Sequence, residues 1–115
     1  MNIKAVADKI GIDYEKTVED FCGDVSALSS RLQAFASSNA IETLKTLQDK
    51  ADAAGIKKLA HGIRKDAEKV GLETVAKASR RVEDADTDKL KSAVHVLIEK
   101  MEEAISAIKN QEEEK

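Results

Sequence analysis

The sequence predicts an all-α protein, an antiparallel up-and-down four-helix bundle preceded by short additional N-terminal helices. Three observations predict it. The chain of 115 residues has no proline to break a helix, only 3% aromatic residues to favour strands, and 36% charged residues to solvate helix surfaces. Apolar residues recur at intervals of three and four, the spacing that gathers them on one side of a helix. The links between these periodic segments are short, which makes consecutive helices antiparallel neighbours.

The elements follow in order. Residues 1–10 place Ile3, Val6, Ala7 and Ile10 on one face of a short helix that Gly11 can end, because glycine accepts the left-handed conformation past a helix terminus. Asp13 caps a second short helix carrying Tyr14, Val18 and Phe21, and residues 1–22 together form an N-terminal helical arm. Asp24 then caps a helix with Leu28, Leu32 and Phe35 in its stripe, ending near Ser37. Asn39 followed by Glu42 reads as a variant capping box for the next helix, which carries Ile41, Leu44, Leu47 and Ala51. Ala53-Ala54-Gly55 is expected as the tight connection, with a new helix from about Ile56 that closes around Gly71. Leu72, Val75, Ala76, Ser79 and Val82 form the following stripe. Asp84-Ala85-Asp86-Thr87-Asp88 supplies cap candidates for the longest pattern, from Leu90 through Val94, Leu97, Met101 and Ile105 to Ile108. The expectation is one domain over 1–115, with the bundle at about 24–109 and a frayed tail at 110–115.

Composition also excludes classes of function. A net charge of −3 offers no general attraction for a nucleic-acid backbone, so nucleic acid is not expected as a partner. Charge interrupts every apolar run before it reaches the ~20 residues that cross a bilayer, so no membrane is expected either. With no secretory hydrophobic stretch at the start, the expected compartment is the cytoplasm. A single cysteine, Cys22, rules out an internal disulfide and reads as a buried structural thiol. No phosphate-binding glycine loop or metal-ligand spacing is present, so neither a cofactor nor a metal is expected and any chemistry falls to individual side chains on helix surfaces.

His61 is the first of these. With Ile56 at the origin of the wheel, Leu59, Ala60, Ile63, Ala67 and Val70 gather on one side, and His61 falls about 140° away, pointing outward. Arg64, Lys65 and Glu68 follow at three, four and seven residues and approach the same face, leaving the imidazole in mainly cationic surroundings. An exposed imidazole near neutral pH keeps a ring lone pair for attack on phosphorus, and Arg64 and Lys65 can stabilise transferring phosphoryl oxygens. An exposed helical histidine is more often a plain solvated side chain, and His95, which flanks the last apolar stripe without a following cationic pair, is read as a boundary residue.

Leu59-Ala60-His61-Gly62-Ile63-Arg64, followed by Val70-Gly71-Leu72, resembles the histidine-containing phosphotransfer (HPt) domain family. In that family a small residue precedes the histidine, an apolar residue stands two positions later, a basic one three later and a glycine ten later. Ala60, Ile63, Arg64 and Gly71 fit those places, Gly71 as the helix-packing glycine. Ile12-Asp13 and Phe21-Cys22-Gly23-Asp24 are similar to the family's N-terminal segment, so the likeness covers roughly residues 12–109. One position departs from the pattern: Lys65 stands where the family usually has glycine, and it adds bulk and charge beside the phosphoryl site.

The resemblance implies a phosphohistidine carrier in a two-component phosphorelay, with His61 accepting and donating a phosphoryl group to and from aspartates of response-regulator receiver domains. A hybrid histidine kinase is a further candidate partner, and the segment 39–53 is the expected neighbour in docking. Such a carrier is no enzyme in its own right, since the chain shows no ATP-binding motif, and a monomer is expected rather than a dimer. Lys65 keeps an alternative open: a phosphorylation-incompetent relative that binds a receiver or kinase as an adaptor or inhibitor. A third reading, a helical oligomerisation module, needs only the amphipathic stripes.

Overall fold

The computed structural model describes residues 14–113, and among them every regular element is a helix. We number these α1 (Tyr14–Asp20), α2 (Val25–Ala36), α3 (Ala40–Asp49), α4 (Ala53–Lys69), α5 (Glu73–Asp84) and α6 (Thr87–Glu113). The all-α expectation is therefore met. The expected helix over 1–10, its end at Gly11 and the Asp13 cap lie outside the described residues.

The helix starts and stops have local causes. Asp24 caps α2 by accepting the Ala27 N–H at 3.0 Å, and Asp52 caps α4 by accepting the Gly55 N–H at 2.9 Å. Three helices end in the same way, with a residue in the left-handed region just past the terminus and two backbone bonds folding back. At α4, Gly71 (φ +75°) bonds to Glu68 and Leu72 to Ala67. Cys22 after α1 and Ala51 after α3, each at φ +54°, take the same place without being glycine. Glycine is thus an incomplete guide to where these helices end.

Three expectations are corrected here. The turn expected at Ala53-Ala54-Gly55 lies at 50–52, because Asp52 supplies the cap and Gly55 falls inside the first turn of α4. Asn39 occupies the N-cap position of α3 but its side chain makes no cap bond, and the Ser38 hydroxyl accepts the Ala40 N–H at 3.2 Å instead. Cys22 is exposed rather than buried, since its left-handed position past α1 turns it out of the core. The last helix, α6, extends through Glu113, and residues 114–115 lie outside the described set.

The core is one continuous apolar cluster to which every helix from α2 to α6 contributes. Leu28, Leu32, Leu44, Leu97, Met101 and Ile108 are almost fully removed from water, each worth about 1.5–3 kcal/mol over an exposed position. Val18 and Phe21 pack against its edge from the α1 end. In the contacts, α4 lies against α3 and α5, α5 against α6, and α6 against α2 and α3. The most extensive pairing is α4 with α5. Both helices bury small side chains, Ala60 and Ala67 on α4 and Ala76, Ala78 and Ser79 on α5. Small side chains let two helix axes approach closely, and close axes bring the flanks of the pair within reach of each other. The Ser79 hydroxyl is satisfied by the Val75 carbonyl at 2.9 Å and leaves no orphan polar group in that seam.

Candidate functional site

His61 stands in the middle of α4 with half of its side chain open to solvent. Burial of Ile56, Ala60, Ile63 and Ala67 fixes the rotation of the helix and turns His61 outward. The imidazole is nevertheless not isolated. Its Nδ1 lies 2.6 Å from Oε1 of Glu83, which reaches across from α5. The other oxygen of that carboxylate accepts from Arg64 Nε at 2.7 Å, and Arg64 Nη1 donates to Glu68 at 2.9 Å. Arg64 Nη2 also approaches His61 Nδ1 at 3.2 Å.

The short contact to Glu83 decides the tautomer. A hydrogen bond needs one donor, and a carboxylate can only accept, so Nδ1 carries the proton and donates it to Glu83. The longer approach of Arg64 to the same nitrogen is then a close contact between two donors, tolerated because both face one carboxylate. In the neutral ring Nε2 then holds the lone pair. Burial pushes the Glu83 carboxyl up, but the hydrogen bonds from Arg64 and His61, with the Arg64 charge, outweigh it and hold the group below the usual carboxylate range. Glu83 is therefore ionised at neutral pH. The bond to Glu83, then that to Glu68, raises Arg64 and keeps it charged.

Each anticipated residue can now be placed. His61 and Arg64 come together, three residues apart on one face of α4. Lys65 is exposed and forms no ion pair or hydrogen bond among the described residues. Gly71, expected to serve helix packing, stands beyond the helix in the left-handed position that closes α4 and opens the turn into α5. The expectation of mainly cationic surroundings is corrected: the charge nearest the imidazole is the Glu83 carboxylate, and Arg64 is divided between two acidic partners.

Glu83 escaped the sequence reading because that reading looked only along one helix. A signal was there. His61 lies ten residues before Gly71 and Glu83 twelve after it, and two antiparallel helices joined by a tight turn bring positions at similar distances from the turn side by side. His95, in contrast, is exposed on α6 beside Glu99 and Glu102 and has no hydrogen-bond partner among the described residues.

The arrangement suits a nucleophile better than a ligand cage. Among the described residues no group of three or more His, Cys, Asp or Glu side chains can hold a metal ion. No described helix is long and apolar enough to cross a membrane. What the site offers is one exposed ring nitrogen whose opposite nitrogen is tied to an ionised carboxylate. Comparison with family models, curated proteins and solved structures yields no match, so the reading of this site rests on its own geometry.

Proposed function

We propose that the chain is a histidine phosphotransfer protein in which His61 Nε2 accepts a phosphoryl group from a receiver-domain aspartate and passes it to another. The observation that carries the reading is the Nδ1–Glu83 contact of 2.6 Å on an otherwise exposed imidazole. In the forward step the Nε2 lone pair attacks phosphorus, the bond from phosphorus to the aspartyl oxygen breaks, and the aspartate leaves as a carboxylate with the electron pair. The ring keeps its Nδ1 proton and gains positive charge, which the Glu83 carboxylate offsets. No proton has to leave for the phosphoryl group to arrive. Mg²⁺ and the acyl phosphate belong to the partner in this scheme, and the carrier contributes position and charge.

The HPt-like sequence order supports the same reading. So do the contacts of α3, α4, α5 and α6, each touching the next and α6 returning to α3, which suit an antiparallel up-and-down four-helix bundle with α2 docked on α6. The cytoplasm is the compartment such a relay requires. A phosphorylated receiver mixed with the chain is expected to leave an acid-labile adduct that His61→Ala abolishes. Labelling that persists in His61→Ala would overturn the assignment.

The adaptor reading is favoured by a single feature, the unpaired Lys65 beside the imidazole. It requires that a receiver or kinase bind equally well to His61→Ala while no donor phosphorylates the wild-type chain.

A further inference from the structure

We propose that Lys57 is a positioning residue for His61: by tying the Ala85 carbonyl to α4 it fixes the last turn of α5, and with it the Glu83 carboxylate that holds Nδ1. The effect on the ring belongs to the free protein. Its consequence for transfer rests on the phosphotransfer reading.

Glu83 stands in the last turn of α5, one residue before the helix ends at Asp84. The final carbonyls of a helix have no partner within it, and helix ends fray before their middles. At Ala85 the chain has already left the helix, with an extended ψ of 140°, and its own N–H reaches back only to Val82 at 3.3 Å. A carboxylate in such a place needs outside support to hold one ring nitrogen at 2.6 Å. Lys57 supplies it. Its Nζ crosses from α4 and donates to the Ala85 carbonyl at 2.7 Å, a partly buried bond between residues 28 apart in the chain. Buried Val82 anchors the turn on one side of Glu83, and the Lys57 bond anchors it on the other.

The choice of acceptor marks this bond as a clamp on the main chain. Asp84 and Asp86 flank Ala85, yet Lys57 stands in no ion pair among the described residues. A carboxylate would swing with its side chain, whereas a carbonyl moves only with the backbone that carries it. Lys57, His61 and Arg64 stand at i, i+4 and i+7, which places them on one stripe of α4. That stripe grips the end of α5 at three atoms, the Ala85 carbonyl and the two oxygens of Glu83. Among the described residues no other side-chain hydrogen bond joins α4 to this end of α5. Without Lys57, then, the only bonds left to orient Glu83 from α4 are those that Glu83 itself makes to His61 and Arg64.

The ring is read first and transfer second. Nitrogen-15 resonances of the His61 imidazole are followed against pH in wild type, Lys57→Met, Lys57→Arg, Glu83→Gln and the double variant of Lys57→Met with Glu83→Gln. Wild type and Lys57→Arg are expected to keep the Nδ1 proton in the neutral ring, whereas Lys57→Met and Glu83→Gln shift toward the other tautomer. The double variant is expected to match Glu83→Gln alone, because a residue that acts through Glu83 has no further effect once the carboxylate is gone. Transfer from whichever phosphorylated receiver in a panel labels the wild type fastest is expected to fall about three- to tenfold in Lys57→Met, within the ~100-fold that a 1 Å misplacement costs, and to recover in Lys57→Arg. A Lys57→Met ring that keeps the wild-type tautomer would overturn the proposal even if the melting temperature drops, since lost stability alone leaves the ring signals unchanged. Additive effects on the ring in the double variant would overturn it as well. Should Lys57→Met not fold, Lys57→Gln takes its place with the same readings. If no receiver labels the wild type, the phosphotransfer reading falls, while the ring signals still decide the role of Lys57.

Discussion

His61 on α4 and His95 on α6 are both exposed imidazoles in the middle of long helices, yet only one is held. His61 is fixed by Glu83 from the adjoining helix and has Arg64 three residues on, whereas His95 faces solvent among glutamates of its own helix. The difference teaches that exposure alone does not fix the orientation or tautomer of an imidazole. A second helix has to supply a group that does so, and under the proposed reading the same group compensates the charge that develops on the ring. The extensive pairing of α4 with α5 brings Glu83 to His61, and no described residue plays that part for His95.

The contrast breaks most directly if the two histidines prove equivalent. Phosphoryl labelling from a receiver is expected to vanish in His61→Gln and to be unchanged in His95→Gln, read by acid-labile incorporation. Next in size is Glu83→Gln, which keeps the shape but loses the charge-assisted bond. Such bonds are worth about 1.5–3 kcal/mol, so the transfer rate is expected to fall about 10- to 100-fold without loss of helicity. An unchanged rate would reduce Glu83 to a structural neighbour.

Stability should carry the same signature through pH. Because Glu83 titrates below its ordinary range when folded, the unfolded chain binds more protons than the folded one in moderately acid solution. The stabilisation is complete above the ordinary carboxylate range and is lost as pH falls through the depressed folded value. Denaturant midpoints of wild type and Glu83→Gln are therefore expected to differ at neutral pH and to converge in acid. A constant difference would show that the ion pair contributes nothing to the fold. A smaller local effect is expected at the start of α4, where Asp52→Ala should cost about 1 kcal/mol by removing the cap on the Gly55 N–H, measured as a shifted midpoint at unchanged slope. The smallest is Lys65→Ala: an exposed, unpaired cation near the imidazole should change receiver transfer only two- to threefold, and less as salt is added.

Much of this molecule is legible along the chain because helical periodicity is a local property. The stripes through Leu28, Leu32 and Phe35, through Val75, Ser79 and Val82, and through Val94, Leu97 and Met101 are buried as their spacing requires. Burial of α4's stripe in turn dictates that His61 faces outward. Boundaries were less legible, since Cys22 and Ala51 end helices in a conformation usually reserved for glycine, while Gly55 sits within one. Those places are settled by backbone bonds that reach back three to five residues, and residue type alone biases them only weakly.

The sequence by itself thus determined the helical class, most core positions, and the outward face of α4 with His61 and Arg64 on it. Only the tertiary structure decided that Glu83 meets His61, that Arg64 is shared between two carboxylates, and that Cys22 lies at the surface. The physical reason is the range of the interactions. Amphipathic spacing acts within a few residues of one helix, whereas the Glu83 contact spans 22 residues and exists only once α4 and α5 are packed side by side.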